Sequence, residues 1–412
     1  MSPSILVLNA GSSSLKFGIY PVGSDTPLCR GVVDWAGREG VAELHVSGPS
    51  CPETKITVSI DNHGDAVGVS LRACRAFALQ EASLGFQIVA VGHRVVHGGT
   101  SFRESFVIDQ RVRDAIAKLA SLAPLHNPPA LAAMEAAAAA LPDLPQVAMF
   151  DTAFFADFPP QAYLYPVPYE WFTDWGIRRF GFHGISHQYC SQRAAQMLGR
   201  PISELRLVVC HLGNGCSASA IAGGKANSTT MGFTPMDGLM MGTRPGSLDP
   251  GILLHIQQQH GVTAESLQQD LNHLSGLRGI SGSSSDVRQL EAAVLAGNER
   301  ARLALGMYTD RIRSMIGALT VTLGGLDALV FTAGVGEHST GVRRDACQNL
   351  ECLGLHLDPD LNSSARPDTD IATHNSPSRI LVIECREDLL IAQETTRLLR
   401  LSPVGDRLSS AP

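Results

Sequence analysis

The sequence predicts a two-domain α/β protein, and three observations carry that prediction. Its 412 residues, 44% hydrophobic and 17% charged, are too many for one core at about 150 residues per domain. Strand-like and helix-like patterns alternate along the chain. One design of strand, Gly/Asn/Ser turn and returning strand occurs twice, about two hundred residues apart, which suggests an internal duplication.

In chain order, Ile5 to Leu8 reads as a buried strand, Asn9 to Ser14 as a tight turn, and Leu15 to Tyr20 as the returning strand. Further strands are expected near Leu28–Trp35, Val41–Val46 and Lys55–Ile60, then a helix around Asp65–Leu79 and a strand at Ile88–Val95. Helices near Asp109–Leu119 and Pro128–Leu141 precede a strand at Gln146–Phe150. The Pro-, Tyr- and Trp-rich stretch Asp157–Trp175 reads as a loop crossing between domains. The second hairpin is Leu205–His211, turn Leu212–Gly215, and strand Ser217–Ala222. Helices near Asp249–His260, Ala264–Ser275, Asp286–Ala296 and Glu299–Leu323 follow, then strands at Ala328–Thr332 and Arg379–Ile383 and a helix over Glu387–Arg400. Residues 401–412 read as an unstructured tail.

Composition excludes several classes. Gly 40 and Pro 23 stay below the roughly 25–30% of low-complexity chains. A formal net charge of −7 without a basic stretch argues against a nucleic-acid partner. No window approaches 18 apolar residues, so no membrane span is expected. Met1-Ser2-Pro3-Ser4 and the short run Ile5 to Leu8 lack the basic and apolar regions of a signal peptide. Nine cysteines, an odd number without a C-x-x-C pair, read as reduced thiols of a cytoplasmic protein.

Four glycine-bearing turns are read as following apolar strands: Asn9 to Ser14, Gly213 to Gly215, Gly242 to Arg244, and Gly334 to Gly336. Glycine lets backbone N–H groups approach a phosphate, although any single such turn is more simply structural. No P-loop or Rossmann glycine signature occurs. Arg94 and Arg244 lie among apolar and glycine residues with no carboxylate beside them in sequence. Their planar forks suit a carboxylate or phosphoryl group; a buried ion pair with a distant acid is the alternative. Lys16 alternates to the face opposite Leu15 and Phe17, so it could simply be solvated. His183 and His187 are four apart, yet Gly184 and the missing glutamate argue against a zinc helix. Asp151 ends a strand, the place for a functional carboxylate or a helix cap. Glu387 and Asp286 each open a helix and could simply complement its dipole.

Assembled in order, these segments resemble the acetate and propionate kinase family from Leu6 to Ala392. The matching stretches are Asn9–Lys16, Gly92–Gly99, Leu122–Pro129, Phe150–Phe154, Gly181–Gly184, Cys210–Gly215, Gly282–Asp286 and Thr332–Glu337. The resemblance implies two duplicated actin/Hsp70/sugar-kinase-like domains with a nucleotide cleft between them. It places the first domain over residues 1–152, completed by the helix 387–400, and the second over 153–386. It implies reversible phosphoryl transfer from ATP to acetate, giving acetyl phosphate and ADP, with Mg2+ or alternatively Mn2+, in a cytoplasmic homodimer.

By the same resemblance, Arg94 and Arg244 would grip the carboxylate and the phosphoryl group, His183 would stabilise its equatorial oxygens, and Asp151 would position the reactants. Asn9 and Glu387 match the magnesium positions; Ser12, Ser14 and Lys16 match the first phosphate turn. His211, Leu212, Gly213, Asn214 and Gly215 match the phosphate loop, while Asp286, Val287, Arg288, Gly334, Val335, Gly336, Glu337 and His338 match the adenosine pocket. Val96, Leu125, Phe182 and Pro235 would surround the acetate methyl, and His126 and His187 would support the site. The family's usual Gly-Glu-Asn-Ser reads Gly336-Glu-His338-Ser here, and its Asn-Glu-Glu reads Arg386-Glu-Asp388. A carboxylate acceptor is already ionised at pH 7, so direct in-line transfer needs alignment and charge neutralisation rather than a base. Competing readings are a propionate or broad short-chain acid kinase, a sugar kinase of the same fold, and a non-catalytic nucleotide switch.

Overall fold

The computed structural model describes residues 2–36, 40–49, 51–80 and 85–402. The chain divides into two units, one built from Met1–Ala153 with Arg386–Pro412 and one from Phe154–Cys385. The expected tail lies, from residue 403 on, outside the described residues.

In the first unit the strands are β1 (Ser2–Ala10), β2 (Ser14–Pro21), β3 (Cys29–Asp34), β4 (Val41–Gly48), β5 (Cys51–Ser59), β6 (Phe86–Val95), β7 (Phe106–Val107) and β8 (Gln146–Phe150). They form one sheet in the order β5-β4-β3-β2-β1-β6-β8-β7. Strands β1 to β5 are an antiparallel meander, whereas β1, β6 and β8 run parallel and β7 closes the edge antiparallel. Continuous burial of Ile5 to Leu8 follows from that central position, because a strand covered on both faces must be apolar throughout.

One face is covered by the helices His63–Gln80 and Asn127–Ala140, which pack Val67, Cys74, Phe77, Ala133 and Ala137 against Leu6, Leu8, Leu15 and Phe17. The last helix, Glu387–Leu398, buries Leu389, Leu390, Ile391 and Ala392. It reaches β6 closely because Gly92 has no side chain; a Cβ there would lie 2.6 Å from Thr395 Oγ1 and 2.7 Å from Ile391 Cγ2.

The second unit repeats the layout. Its strands are β9 (Arg206–Leu212), β10 (Cys216–Ala222), β11 (Lys225–Thr229), β12 (Ala328–Thr332), β13 (Thr369–Asp370) and β14 (Arg379–Val382), in the order β11-β10-β9-β12-β14-β13. An antiparallel meander again leads into parallel strands, β9, β12 and β14, with an antiparallel edge strand outside. The order β3-β2-β1-β6-β8-β7 of the first sheet thus matches the whole of the second, so the duplication extends well beyond the hairpins.

Several sequence expectations require correction. The stretch Asp157–Trp175 carries two single-turn helices, Pro160–Tyr163 and Glu170–Thr173, and lies wholly within the second unit. The expected helix over Ala264–Ser275 stops at Gln269, passes through a wide π turn at Asp270–Leu274, and restarts at Gly276–Ser281. Gly242 to Arg244 follows no strand; Gly334 to Gly336 belongs to a short helix, Ala333–His338. The helix Gly184–Leu198 leaves no mark in the sequence pattern, because nine of its residues, polar Ser186, His187 and Ser191 among them, are buried and no amphipathic period shows. No helix among the described residues is long and apolar enough to cross a membrane.

Candidate functional site

Three adjacent parallel strands end together in the first unit, and ligands of open α/β sheets sit beyond such ends. Asn9 lies near the end of β1, Arg94 near the end of β6, and Asp151 directly after β8. Arg94 donates from Nε to Asp151 Oδ1 (3.2 Å) and from Nη2 to Oδ2 (2.7 Å), a two-pronged pair. Asp151 is fully buried, while the Arg94 side chain keeps 18% exposure. The distant-acid alternative for Arg94 is therefore realised, with a partner that is itself a predicted site residue.

Arg94 Nη1 also donates to Asn9 Oδ1 (3.3 Å) and lies 3.9 Å from Glu387 Oε2, which accepts from Asn9 Nδ2 at 3.4 Å. Four of the predicted residues thus form one connected cluster, and its oxygen atoms are of the hard type that Mg2+ prefers. Beside it, Asp388 is pushed up to about 6, by burial first and by the charge of Glu387, against the opposing charges of Lys16, Arg94 and Arg30.

The turn after β1 is pinned by Gly11 N–H to Ser14 O (2.8 Å), with the His63 ring 2.9 Å from Gly11 O. Ser12 and Lys16 are exposed on it and Ser14 is half-buried. Beyond β6 the backbone of His97 is clamped by buried Asn127, whose Oδ1 accepts from His97 N–H (3.1 Å) and whose Nδ2 donates to His97 O (3.0 Å). Thr152 Oγ1 accepts from Gly98 N–H (2.9 Å), tying the same segment to the residue after Asp151. Val96 is half-buried in this clamped loop; Leu125 is 43% exposed, and half-buried His126 precedes the helix Asn127–Ala140. Asn127 and Thr152 had no assigned role in the sequence reading, since an Asn before Pro-Pro and a Thr after Asp are ordinary capping residues.

In the second unit the predicted residues gather around the end of β9. His211 pairs in register with Thr332 of β12, its Nδ1 lies 2.8 Å from Ser186 Oγ, and its ring stacks on His183 at 4.1 Å. His183 occupies the N-cap of the helix Gly184–Leu198 with φ +58°, a left-handed conformation that costs a non-glycine residue roughly 1–2 kcal/mol. Such strain gathers where a side chain must be aimed. His183 Nδ1 and His187 Nε2 lie 2.9 and 2.7 Å from the hydroxyl of Ser217. The two histidines therefore share one serine hydroxyl. Ser217, in a run of small strand residues, carried no signal in the sequence.

Arg244 Nη1 donates to Pro235 O (2.6 Å), and no carboxylate among the described residues pairs with it. Burial lowers its affinity for the proton, with only the Cys216 thiol opposing. A Cβ placed on Gly215 would lie 2.9 Å from Arg244 Nη2 and 3.3 Å from His183 Nε2, so these groups converge over that glycine. Phe182, next to His183, is buried and Pro235 is half-buried. Leu212 is buried, Gly213 and Gly215 are half-buried, and Asn214 is exposed at the tip.

The remaining predicted loops close on this point. Gly213 N–H donates to Gly215 O (3.0 Å), and Gly242 N–H to Asn214 O (3.1 Å). A Cβ on Gly242 would lie 3.3 Å from Ser285 Cβ, and one on Gly213 would lie 3.8 Å from Ala333 Cβ. Asp286 caps the helix Val287–Leu295 through Arg288 N–H (2.9 Å) and pairs with the exposed Arg288 guanidinium (2.6 Å), which holds its carboxyl below the usual range. Val287 is buried behind it. In Ala333–His338, Gly334 and His338 are exposed, Val335 is half-buried, and Gly336 and Glu337 are buried. Glu337 Oε1 accepts from Cys385 N–H (2.9 Å), and burial raises its carboxyl. Its carboxylate thus anchors backbone rather than facing outward.

Each cluster has a distinct chemical capacity. The first unit offers a cation locked to carboxylates and an oxygen-rich set for a divalent ion. The second offers an uncompensated guanidinium, an aimed imidazole and glycine-lined backbone. The profile of the family described as the acetokinase family matches residues 4–393. An acetate kinase of Nostoc sp. is 50% identical over 411 residues, covering 96% of this chain and 99% of its own. Among solved structures, an acetate kinase of Porphyromonas gingivalis superposes with a TM-score of 0.87 at 38% identity, covering 96% of this chain and 100% of its own. A propionate kinase of Francisella tularensis gives 0.86 at 36%, covering 95% and 98%.

Proposed function

The chain belongs to the acetokinase family, as an enzyme transferring a phosphoryl group between ATP and acetate, and from that premise we propose which of its side chains do the work. Arg244 is the observation that carries the assignment. A buried-side guanidinium without a carboxylate partner is costly unless an anion completes it, and acetate or a phosphoryl group is such an anion. With the Arg94 fork held by Asp151, the two cations differ in role. Arg94 is fixed in position, while Arg244 keeps donors for the reacting group.

Acetate arrives ionised, so its oxygen attacks the γ-phosphorus directly as the bond to the bridging oxygen breaks and ADP leaves with that electron pair, and no base is required. Arg94 and Arg244 neutralise the acetate carboxylate and the phosphoryl group and hold them in line; His183 donates to an equatorial oxygen of the group in transit. Asn9 and Glu387 are the residues that would hold Mg2+, with Asp151 behind Arg94. Bound there, the ion would draw charge from the nucleotide phosphates. The loop Gly213 to Gly215, through the N–H groups of Asn214 and Gly215, and the turn Ser12 to Lys16 receive phosphate oxygens, and Asp286 to Arg288 with Gly334 to His338 border the adenosine. Val96, Leu125, Phe182 and Pro235 form the lining for the acid's methyl group. A homodimer in the cytoplasm, with domains divided near residues 152 and 386, completes the proposal.

The test is an acyl hydroxamate assay with acetate, propionate and butyrate and with Mg2+ or Mn2+. Arg244→Ala and Arg94→Ala should each lower kcat by about 10²–10³ while ATP still binds. Full activity in either variant overturns that arginine's role. The likeness to a propionate kinase supports a second reading in which propionate is the better substrate. One methylene is worth only about 1–3 kcal/mol, and the ratio of kcat/KM for the two acids decides between them.

A further inference from the structure

We propose that Ser217 is a positioning residue for His183: its hydroxyl, supplied with a hydrogen bond by His187, holds His183 as the tautomer with its proton on Nε2, presented toward the transferred group. The inference rests on the role given to His183 above and deepens it.

The starting point is the set of protons shared by Ser217 and the two rings it joins. Ser217 lies on β10, fully buried, with Nδ1 of His183 at 2.9 Å and Nε2 of His187 at 2.7 Å from its oxygen. A hydroxyl carries one proton, and since these two rings are the only hydrogen-bond partners of Ser217 Oγ among the described residues, it donates to one ring and accepts from the other. Two arrangements satisfy that rule, and they leave His183 in opposite tautomers.

His187 decides between them. Its ring is fully buried against the edge of Phe155, and its Nδ1 has no hydrogen-bond partner. Burial, with His211 adding to it, holds His187 well below the ordinary histidine range, so the ring is neutral and owns a single N–H. If that N–H were on Nδ1, a donor would be orphaned in the interior, among the rarest defects in folded proteins. With the proton on Nε2 only a lone pair is left unmatched. His187 Nε2–H then donates to Ser217 Oγ, Ser217 donates to His183 Nδ1, and the proton of His183 must sit on Nε2.

Nε2 is the His183 nitrogen that, with Cε1 beside it, converges with Arg244 Nη2 over Gly215. Phosphoryl oxygens accept hydrogen bonds and donate none, so the opposite tautomer would set a lone pair against them. No proton moves in this arrangement. Ser217 acts only by deciding which ring nitrogen bears it, and the left-handed backbone of His183 fixes the ring's direction.

Histidine-selective 15N labelling of the full-length enzyme tests this directly. The His183 ring signals, identified by their loss in His183→Gln, should show a protonated Nε2 and a bare Nδ1 in the unmodified protein. A protonated Nδ1 on His183 overturns the proposal. Kinetics give a second reading. Ser217→Ala should lower kcat by about ten- to a hundredfold with little change in the KM for ATP, and Ser217→Thr should recover most of the loss. In the His183→Gln background the glutamine amide offers a donor with no tautomer to set, so adding Ser217→Ala should cost less than threefold. Equal losses in both backgrounds would mark Ser217 as merely structural and overturn the idea. Full activity of His183→Ala would instead remove His183 from the mechanism while leaving the ring spectrum of the unmodified protein as expected, so the two failures are separable.

Discussion

His93 sits immediately before Arg94 on β6, fully buried, with Nε2 2.6 Å from Gln146 Oε1. Burial lowers its pKa to about 4 despite that bond, and His97 is lowered to about 4 by burial as well. The unfolded chain takes up these protons near pH 6.5, while the native state refuses them until about 4. Stability is therefore complete above about pH 6.5 and is lost as pH falls toward 4, by roughly 3 kcal/mol for each ring. Urea midpoints at pH 7, 6 and 5 should fall progressively, and His93→Gln should remove up to about one proton's worth of that slope. An unchanged slope in the variant would show that His93 does not couple folding to acid. At this scale the sequence was legible for Arg94 and Asp151, an arginine among apolar and glycine residues and an acid at a strand end, while Asn9 and Glu387 were marked only by the family resemblance; hydrogen bonds and ion pairs link all four. It was illegible for Asn127, Thr152, Ser186 and Ser217, whose side chains are chemically ordinary and whose importance lies in a partner 25 to 54 positions away.

Elements were legible in proportion to their caps and periods. The helix Glu299–Leu323 is bounded as the sequence indicates, with Asn298 accepting from Ala301 N–H and Gly324 left-handed at the other end. The loop carrying Arg244 had no such marks, because its shape is imposed by a neighbour. Ser275 N–H donates to Thr243 O, Leu277 N–H to Met241 O and Arg278 N–H to Gly242 O, so the start of the helix Gly276–Ser281 serves as the loop's template. Gly276 has φ +61°, and a Cβ there would lie 2.2 Å from Met241 O and 2.7 Å from Arg244 O. Gly276→Ala should therefore push the loop away, lowering the urea midpoint by the equivalent of about 1–3 kcal/mol and kcat/KM for acetate by at least tenfold. Unchanged kinetics would mean that Arg244 does not depend on this docking.

For the whole molecule, the repeated strand order means that each sheet solves the same problem, carrying polar ends of parallel strands beside an antiparallel meander. The sequence disclosed this only through the two hairpins, since the edge strands β7 and β13 have two residues each and leave no period to read. The second unit is continuous in the chain and the first is not. A chain ending at residue 385 should therefore keep hydrogen-exchange protection in β9 and β12 and lose it in β1 and β6, whose cover of Leu389 to Ala392 would be missing. Equal protection of both sheets would show the first unit to be self-sufficient.

Gly92 also sets an order of events during synthesis. The strand that carries Arg94 leaves the ribosome early with a bare stripe shaped for Ile391 and Thr395. At about 5–20 residues per second its matching helix follows only after tens of seconds. Glu387 rides on that helix, so Asn9, Arg94 and Asp151 wait beside an empty position until the chain has been made as far as residue 387. A prematurely terminated chain is thereby denied the acidic corner of its own site.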